Sequence, residues 1–91
     1  MDNYIVNLDF TGRVVAITGG AGFIGYQSAK AFASLNASVA LIDITDNTDA
    51  KAKELSDSYG IKAKGYTCNL SEDETIWTLG ERIYNDFGSL N

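Results

Sequence analysis

Six residues near the start of the chain, Gly20-Ala21-Gly22-Phe23-Ile24-Gly25, have the types and spacing to hold a phosphate. The string G-x-G-x-x-G is weak evidence alone, but its surroundings strengthen it. The apolar run Val14-Val15-Ala16-Ile17 precedes it, a helical pattern opens at Phe23, and Asp43 closes the next apolar run eighteen positions after Gly25. Glycines permit the tight turn and let backbone approach a pyrophosphate with no Cβ in the way. A helix start supplies N–H groups and the positive end of the helix dipole. Gly25 lets that helix pack closely on the strand before it. A carboxylate at Asp43 can accept both hydroxyls of an adenosine ribose, and it would repel a 2′-phosphate there. Ile44, Thr45 and Asp46 follow, with no Lys or Arg to rescue a phosphate. These residues predict a dinucleotide site that takes NAD in preference to NADP.

Other chemistry-bearing residues have plainer readings. Tyr26 and Lys30 form a literal Tyr-x-x-x-Lys, but they lie in the helix straight after Gly25, one turn from the pyrophosphate position. Any i, i+4 pair shares a helix face, so the spacing carries no catalytic meaning. Cys68 reads as a small buried residue at a strand end, with nothing basic placed to lower its pKa. Trp77 and Tyr84 read as packing or subunit surface. Glu72, Asp73 and Glu74 suit the positive end of a helix and need no metal.

The elements that must position the glycine turn alternate regularly. Val14–Ile17 and Val39–Ile42 are apolar runs without polar alternation, the pattern of strands buried on both faces. Phe23 to Leu35 carries helical spacing and stops at Asn36, a residue that accepts a left-handed conformation. A second helix has Ala52, Leu55 and Tyr59 on its inner face and ends at Gly60. A weaker third strand, Ile61 to Cys68, is interrupted by Gly65. Ser71-Glu72-Asp73-Glu74 fits a capping box, and the helix after it turns Ile76, Leu79, Ile83 and Phe87 inward before Gly88. Gly80 weakens that helix. The order βαβαβα predicts an α/β fold: half of a doubly wound, Rossmann-type parallel sheet. Residues 1–91 are then the N-terminal dinucleotide-binding portion of a single domain, truncated before its fourth strand. The missing fourth strand would leave Val14–Thr18 with an open edge, a template for association.

At this point the residues resemble a known family. Thr18-Gly19-Gly20-Ala21-Gly22-Phe23-Ile24-Gly25 resembles the cofactor loop of the short-chain dehydrogenases/reductases, and the likeness runs from about Phe10 onward. Phe10 to Val15 resembles the lead-in to that family's first strand, Asn36-Ala37-Ser38-Val39 the opening of its second, and Cys68-Asn69-Leu70-Ser71 the segment after its third. Phe87-Gly88-Ser89-Leu90-Asn91 resembles the approach to its fourth. The resemblance places Gly19, Gly22, Phe23 and Ile24 at the pyrophosphate and nicotinamide-side ribose, Asp43 and Ile44 at the adenosine ribose, and Asn69 and Leu70 at the adenine. Phe23 departs from the single-domain branch, which has a small residue there, and is typical of the branch that modifies nucleotide sugars. Asn69 stands where an Asp usually accepts from the adenine amino group, and its amide oxygen can still accept. The resemblance implies an oxidoreductase that transfers hydride between nicotinamide and an alcohol or carbonyl substrate. The family's catalytic Tyr, Lys, Ser and Asn follow the fourth strand, so no catalytic residue is expected in these 91 residues and the chain alone is expected to be inactive. Two alternatives are a nucleotide-sugar epimerase or dehydratase, and a non-catalytic dinucleotide-binding module.

Composition narrows the partners. With twelve Asp and Glu against seven Lys and Arg, the net charge of −5 argues against nucleic acid and anionic membrane surfaces. No histidine and a single cysteine remove the commonest zinc ligands and any disulfide framework. No stretch has the length of a membrane span, and the N-terminus lacks signal-peptide character, so a cytoplasmic protein is expected. The expected partners are a small-molecule substrate and further copies of the same protein.

Overall fold

The computed structural model describes residues 9–69 and 73–88. Three strands and three helices alternate: β1 (Val14–Thr18), α1 (Phe23–Ser34), β2 (Ser38–Asp43), α2 (Thr48–Tyr59), β3 (Ala63–Thr67) and α3 (Asp73–Phe87). The strands are parallel in the order β1-β2-β3, with Ala16 opposite Ala40 and Leu41 opposite Gly65. This is the α/β, doubly wound half-sheet that the alternation predicts.

Side chains alternate across a strand, so β2 feeds two cores. Val39 and Leu41 face α1 and α2, where they pack with Ala29, Ala33, Ala52 and Leu55. Ala40 and Ile42 face α3, where they meet Val14, Tyr66, Leu79 and Ile83. Helix ends follow backbone chemistry. Asn36 takes φ 73° just after α1, Gly60 caps α2 at φ 68°, and Gly88 takes φ 83° after α3. The capping box at Ser71 lies outside the described residues.

Four local readings change. Tyr59 is 38% exposed, while Ala52 and Leu55 earlier in α2 are buried. Cys68 is half-buried, not buried. Gly65 is a packing requirement rather than a flaw: a Cβ there would stand 2.8 Å from the Thr48 backbone, where the start of α2 rests on β3. β1 is not buried on both faces. Val14 is buried, but Ala16 and Thr18, on the same face, are exposed. Among the described residues β1 pairs with β2 alone.

Candidate functional site

The site is built where β1 and β2 end together. β1 finishes at Thr18, and Gly19 turns the chain with φ 67°. Gly20 N–H donates to the Ile42 carbonyl at 3.0 Å, and Gly22 N–H donates to the Gly19 carbonyl at 3.1 Å. α1 then begins at Phe23 with Gly22 as its N-cap in extended conformation. No side chain caps this helix and its first turn has no acidic residue. The N–H groups of the first turn have no intrahelical acceptor. An uncapped helix start with a tight glycine turn beneath it is a place for an anion.

Two glycines of the motif differ in why they are glycine. A Cβ on Gly25 would lie 2.0 Å from the Gly19 carbonyl oxygen, so the fold itself forbids a side chain. A Cβ on Gly22 would meet that oxygen at 3.4 Å, an ordinary contact. The packing would accept alanine at Gly22, so the fold gives no reason for glycine there.

Asp43 ends β2 directly beside the turn. Its Oδ2 accepts a hydrogen bond from Ala21 N–H at 3.0 Å, and its Oδ1 accepts one from Ile44 N–H at 2.7 Å. Its own carbonyl accepts from Cys68 N–H at 2.9 Å, which brings the end of β3 alongside. A cleft of about 230 Å³ opens here, lined by Gly19, Ile42, Asp43, Ile44, Cys68 and Asn69. Among the described residues no basic side chain lines it.

The structure thus brings Gly19, Asp43, Ile44 and Asn69 into one cleft and sets Gly22, Phe23, Ile24 and Gly25 at the adjoining start of α1. Phe23 and Ile24 are 81% and 77% exposed and Ile44 is 63% exposed, an apolar rim around a polar turn. Leu70 lies outside the described residues. Cys68 was not among the expected binding residues; its place straight after β3 and before Asn69 was the available signal.

Tyr26 and Lys30 do not form an acid–base pair. The Tyr26 hydroxyl donates to Glu54 Oε1 at 2.8 Å, and Lys30 Nζ lies over the Tyr26 ring, 5.5 Å from its centre. Burial, then the hydrogen bond to Glu54, pushes the Tyr26 phenol up to about 12. A proton donor for carbonyl chemistry needs a shift the other way. Among the described residues no group of three or more His, Cys, Asp or Glu could hold a metal ion. No helix among them is long and apolar enough to cross a membrane.

Comparison with known proteins follows the same lines. Residues 13–91 match the short chain dehydrogenase family. A sorbose reductase of Candida albicans is 39% identical over 80 residues, which cover 88% of this chain and 28% of the reductase. Among solved structures, an NADPH-dependent 3-quinuclidinone reductase from Rhodotorula rubra superposes with a TM-score of 0.90 at 34% identity, covering 100% of this chain and 35% of that one. An NAD+-bound xylitol dehydrogenase gives 0.84 at 25% identity, covering 90% and 32%. The chain spans about a third of the length of these relatives.

Proposed function

The chain belongs to the short-chain dehydrogenase family, and from that premise we propose that it is the NAD(H)-binding portion of an oxidoreductase acting on an alcohol or carbonyl compound. The bound nicotinamide supplies the hydride chemistry. The chain's own residues bind and orient: the start of α1 receives the pyrophosphate, Asp43 receives the adenosine ribose, and the cleft between Ile44 and Asn69 receives the adenine. The proton-transfer groups lie outside these residues, so the 91-residue chain alone is inactive.

One observation carries the cofactor preference: a carboxylate, Asp43, stands in a cleft with no cation among its described lining residues. A 2′-phosphate would meet a like charge there. The 3-quinuclidinone reductase is NADPH-dependent and the xylitol dehydrogenase holds NAD+, so family membership leaves the choice to such local residues. Sorbose and xylitol, named with two of these relatives, are the first substrates to test.

The experiment is a titration of the complete protein with NADH and NADPH. The unmutated protein should bind NADH more tightly. Asp43→Ala should weaken NADH by roughly tenfold, the loss of charge-assisted hydrogen bonds to the ribose, and narrow the gap to NADPH. Tighter binding of NADPH by the unmutated protein would overturn the preference.

A further inference from the structure

Asp43 makes two bonds that binding a ribose does not require. Its Oδ2 reaches across 22 residues of sequence to the Ala21 N–H, inside the glycine turn, while Oδ1 accepts from the N–H of the next residue, Ile44. Directly beneath, the Gly20 N–H donates to the Ile42 carbonyl. Two successive amides of the turn are therefore tied to two successive residues of β2. The backbone bond at Gly20 survives any side-chain change, but the bond at Ala21 exists only through the carboxylate.

We propose that Asp43 is a positioning residue for the phosphate turn as well as the acceptor of the ribose: it latches Ala21 and so holds the start of α1 in its binding shape before cofactor arrives. An ionised carboxylate offers about four lone-pair sites. Two are used by Ala21 and Ile44, which leaves capacity for the ribose hydroxyls without releasing the turn. The consequence concerns specificity. Removing the charge relieves repulsion of a 2′-phosphate, yet removing the acceptor also frees the turn that must grip the pyrophosphate of either cofactor. A variant that keeps an acceptor without the charge separates the two effects.

The latch rests on the cofactor reading only for its binding consequence, and two measurements keep them apart. The first is residue-resolved amide hydrogen exchange on the complete protein without cofactor. In Asp43→Ala the Ala21 amide should exchange about tenfold faster or more, as expected for the loss of a hydrogen bond to a charged acceptor, while the Ala40 and Leu41 amides of β2 keep their rates. Asp43→Asn retains one acceptor oxygen, and its Ala21 rate should fall between the two. An Ala21 amide that exchanges no faster in Asp43→Ala overturns the latch. The second is NADPH affinity. Both variants lack the charge, but Asp43→Asn should bind NADPH at least about threefold more tightly than Asp43→Ala, because only it keeps the turn pinned. Equal affinities overturn the role of the latch in binding. Failure of the unmutated protein to bind either dinucleotide would remove the cofactor reading, and the exchange result would still decide the latch.

Discussion

The two faces of the sheet are built differently. On the α1/α2 face, Ala29, Val39, Leu41 and Leu55 are completely buried, and the helices come close because small residues let them: Ala29, Ala33 and Ala52 from the helices, Gly25 at the turn, Gly65 on β3. On the α3 face the core among the described residues ends in polar groups. Leu79 and Ile83 cover Ala40, Ile42 and Tyr66, but Ala16 and Thr18 of β1 stay open. The far end is held by a cluster: the Tyr66 hydroxyl donates to Asp86 Oδ2 at 2.7 Å, Lys64 pairs with the same oxygen at 3.1 Å, and the Arg82 guanidinium lies over the Tyr66 ring. Close packing is direction-independent and tolerates no added atom. A polar clamp tolerates added atoms but depends on protonation. The site belongs to the close-packed side, since the start of α1 is seated by Gly25.

The largest test of that contrast is Gly25→Ala. A Cβ held 2.0 Å from a backbone oxygen cannot be relieved by a rotamer change, so Gly19 or α1 must move. We expect a loss of about 3 kcal/mol, the upper end of overpacking, together with loss of dinucleotide binding. Denaturant unfolding and cofactor titration check both. Gly22→Ala is the matched control. Its stability should change by less than about 1 kcal/mol, the scale of an N-cap substitution, while cofactor affinity falls. Equal destabilisation by the two substitutions would erase the distinction between a glycine required by the fold and one required by a ligand.

The close-packed side is also where local sequence was most legible. The strand–turn–helix order, the acid at Asp43, and the helix ends at Asn36 and Gly60 all follow from rules spanning a few residues. Contacts between distant residues were not legible. Gly65 reads as a weak point in a strand until Thr48 is found against it. Asp43 reads as a ribose ligand alone until Ala21 arrives from 22 residues away. The Tyr66–Asp86 bond joins residues on two elements whose approach no periodicity announces. β1 reads as doubly buried because its composition suits a central strand, yet no described residue covers Ala16 and Thr18.

The polar clamp on the α3 face should fail at both ends of the pH scale. The Tyr66 hydroxyl and then the Lys64 ammonium hold the Asp86 carboxyl below the ordinary carboxylate range. A carboxylate with a depressed folded pKa contributes stability above its unfolded value and loses it as pH falls through the folded one. Burial, then the bond to Asp86, pushes the Tyr66 phenol above its ordinary value. That contribution is complete below about pH 10, the unfolded value, and drains as pH rises beyond it. Tyr66→Phe should cost about 1 kcal/mol at neutral pH, a single hydrogen bond, and should flatten the alkaline limb. Asp86→Asn should flatten the acid limb. Unfolding midpoints followed across pH provide the check, and limbs unchanged in these variants would mean that the clamp does not hold α3.

The smallest effect is the sharpest probe of how open the outer side of α3 is. Gly80 lies in the middle of α3, in ordinary right-handed helix, and a Cβ built there meets nothing within 4 Å. It shares the exposed side of the helix with Trp77 and Tyr84, which are 79% and 59% exposed. Glycine in a helix interior costs up to about 1 kcal/mol relative to alanine, mostly through the freedom it gives the unfolded chain. Unlike Gly25 and Gly65, it returns nothing in packing among the described residues. Gly80→Ala should therefore raise stability by about 0.5–1 kcal/mol, read as a small rise in unfolding midpoint with an unchanged denaturant slope. The sign is the informative part. If alanine instead destabilises the complete protein, a neighbour must approach Gly80 as closely as Thr48 approaches Gly65, and the face would be closed by an element or a subunit that uses the same small-residue packing as the other side of the sheet.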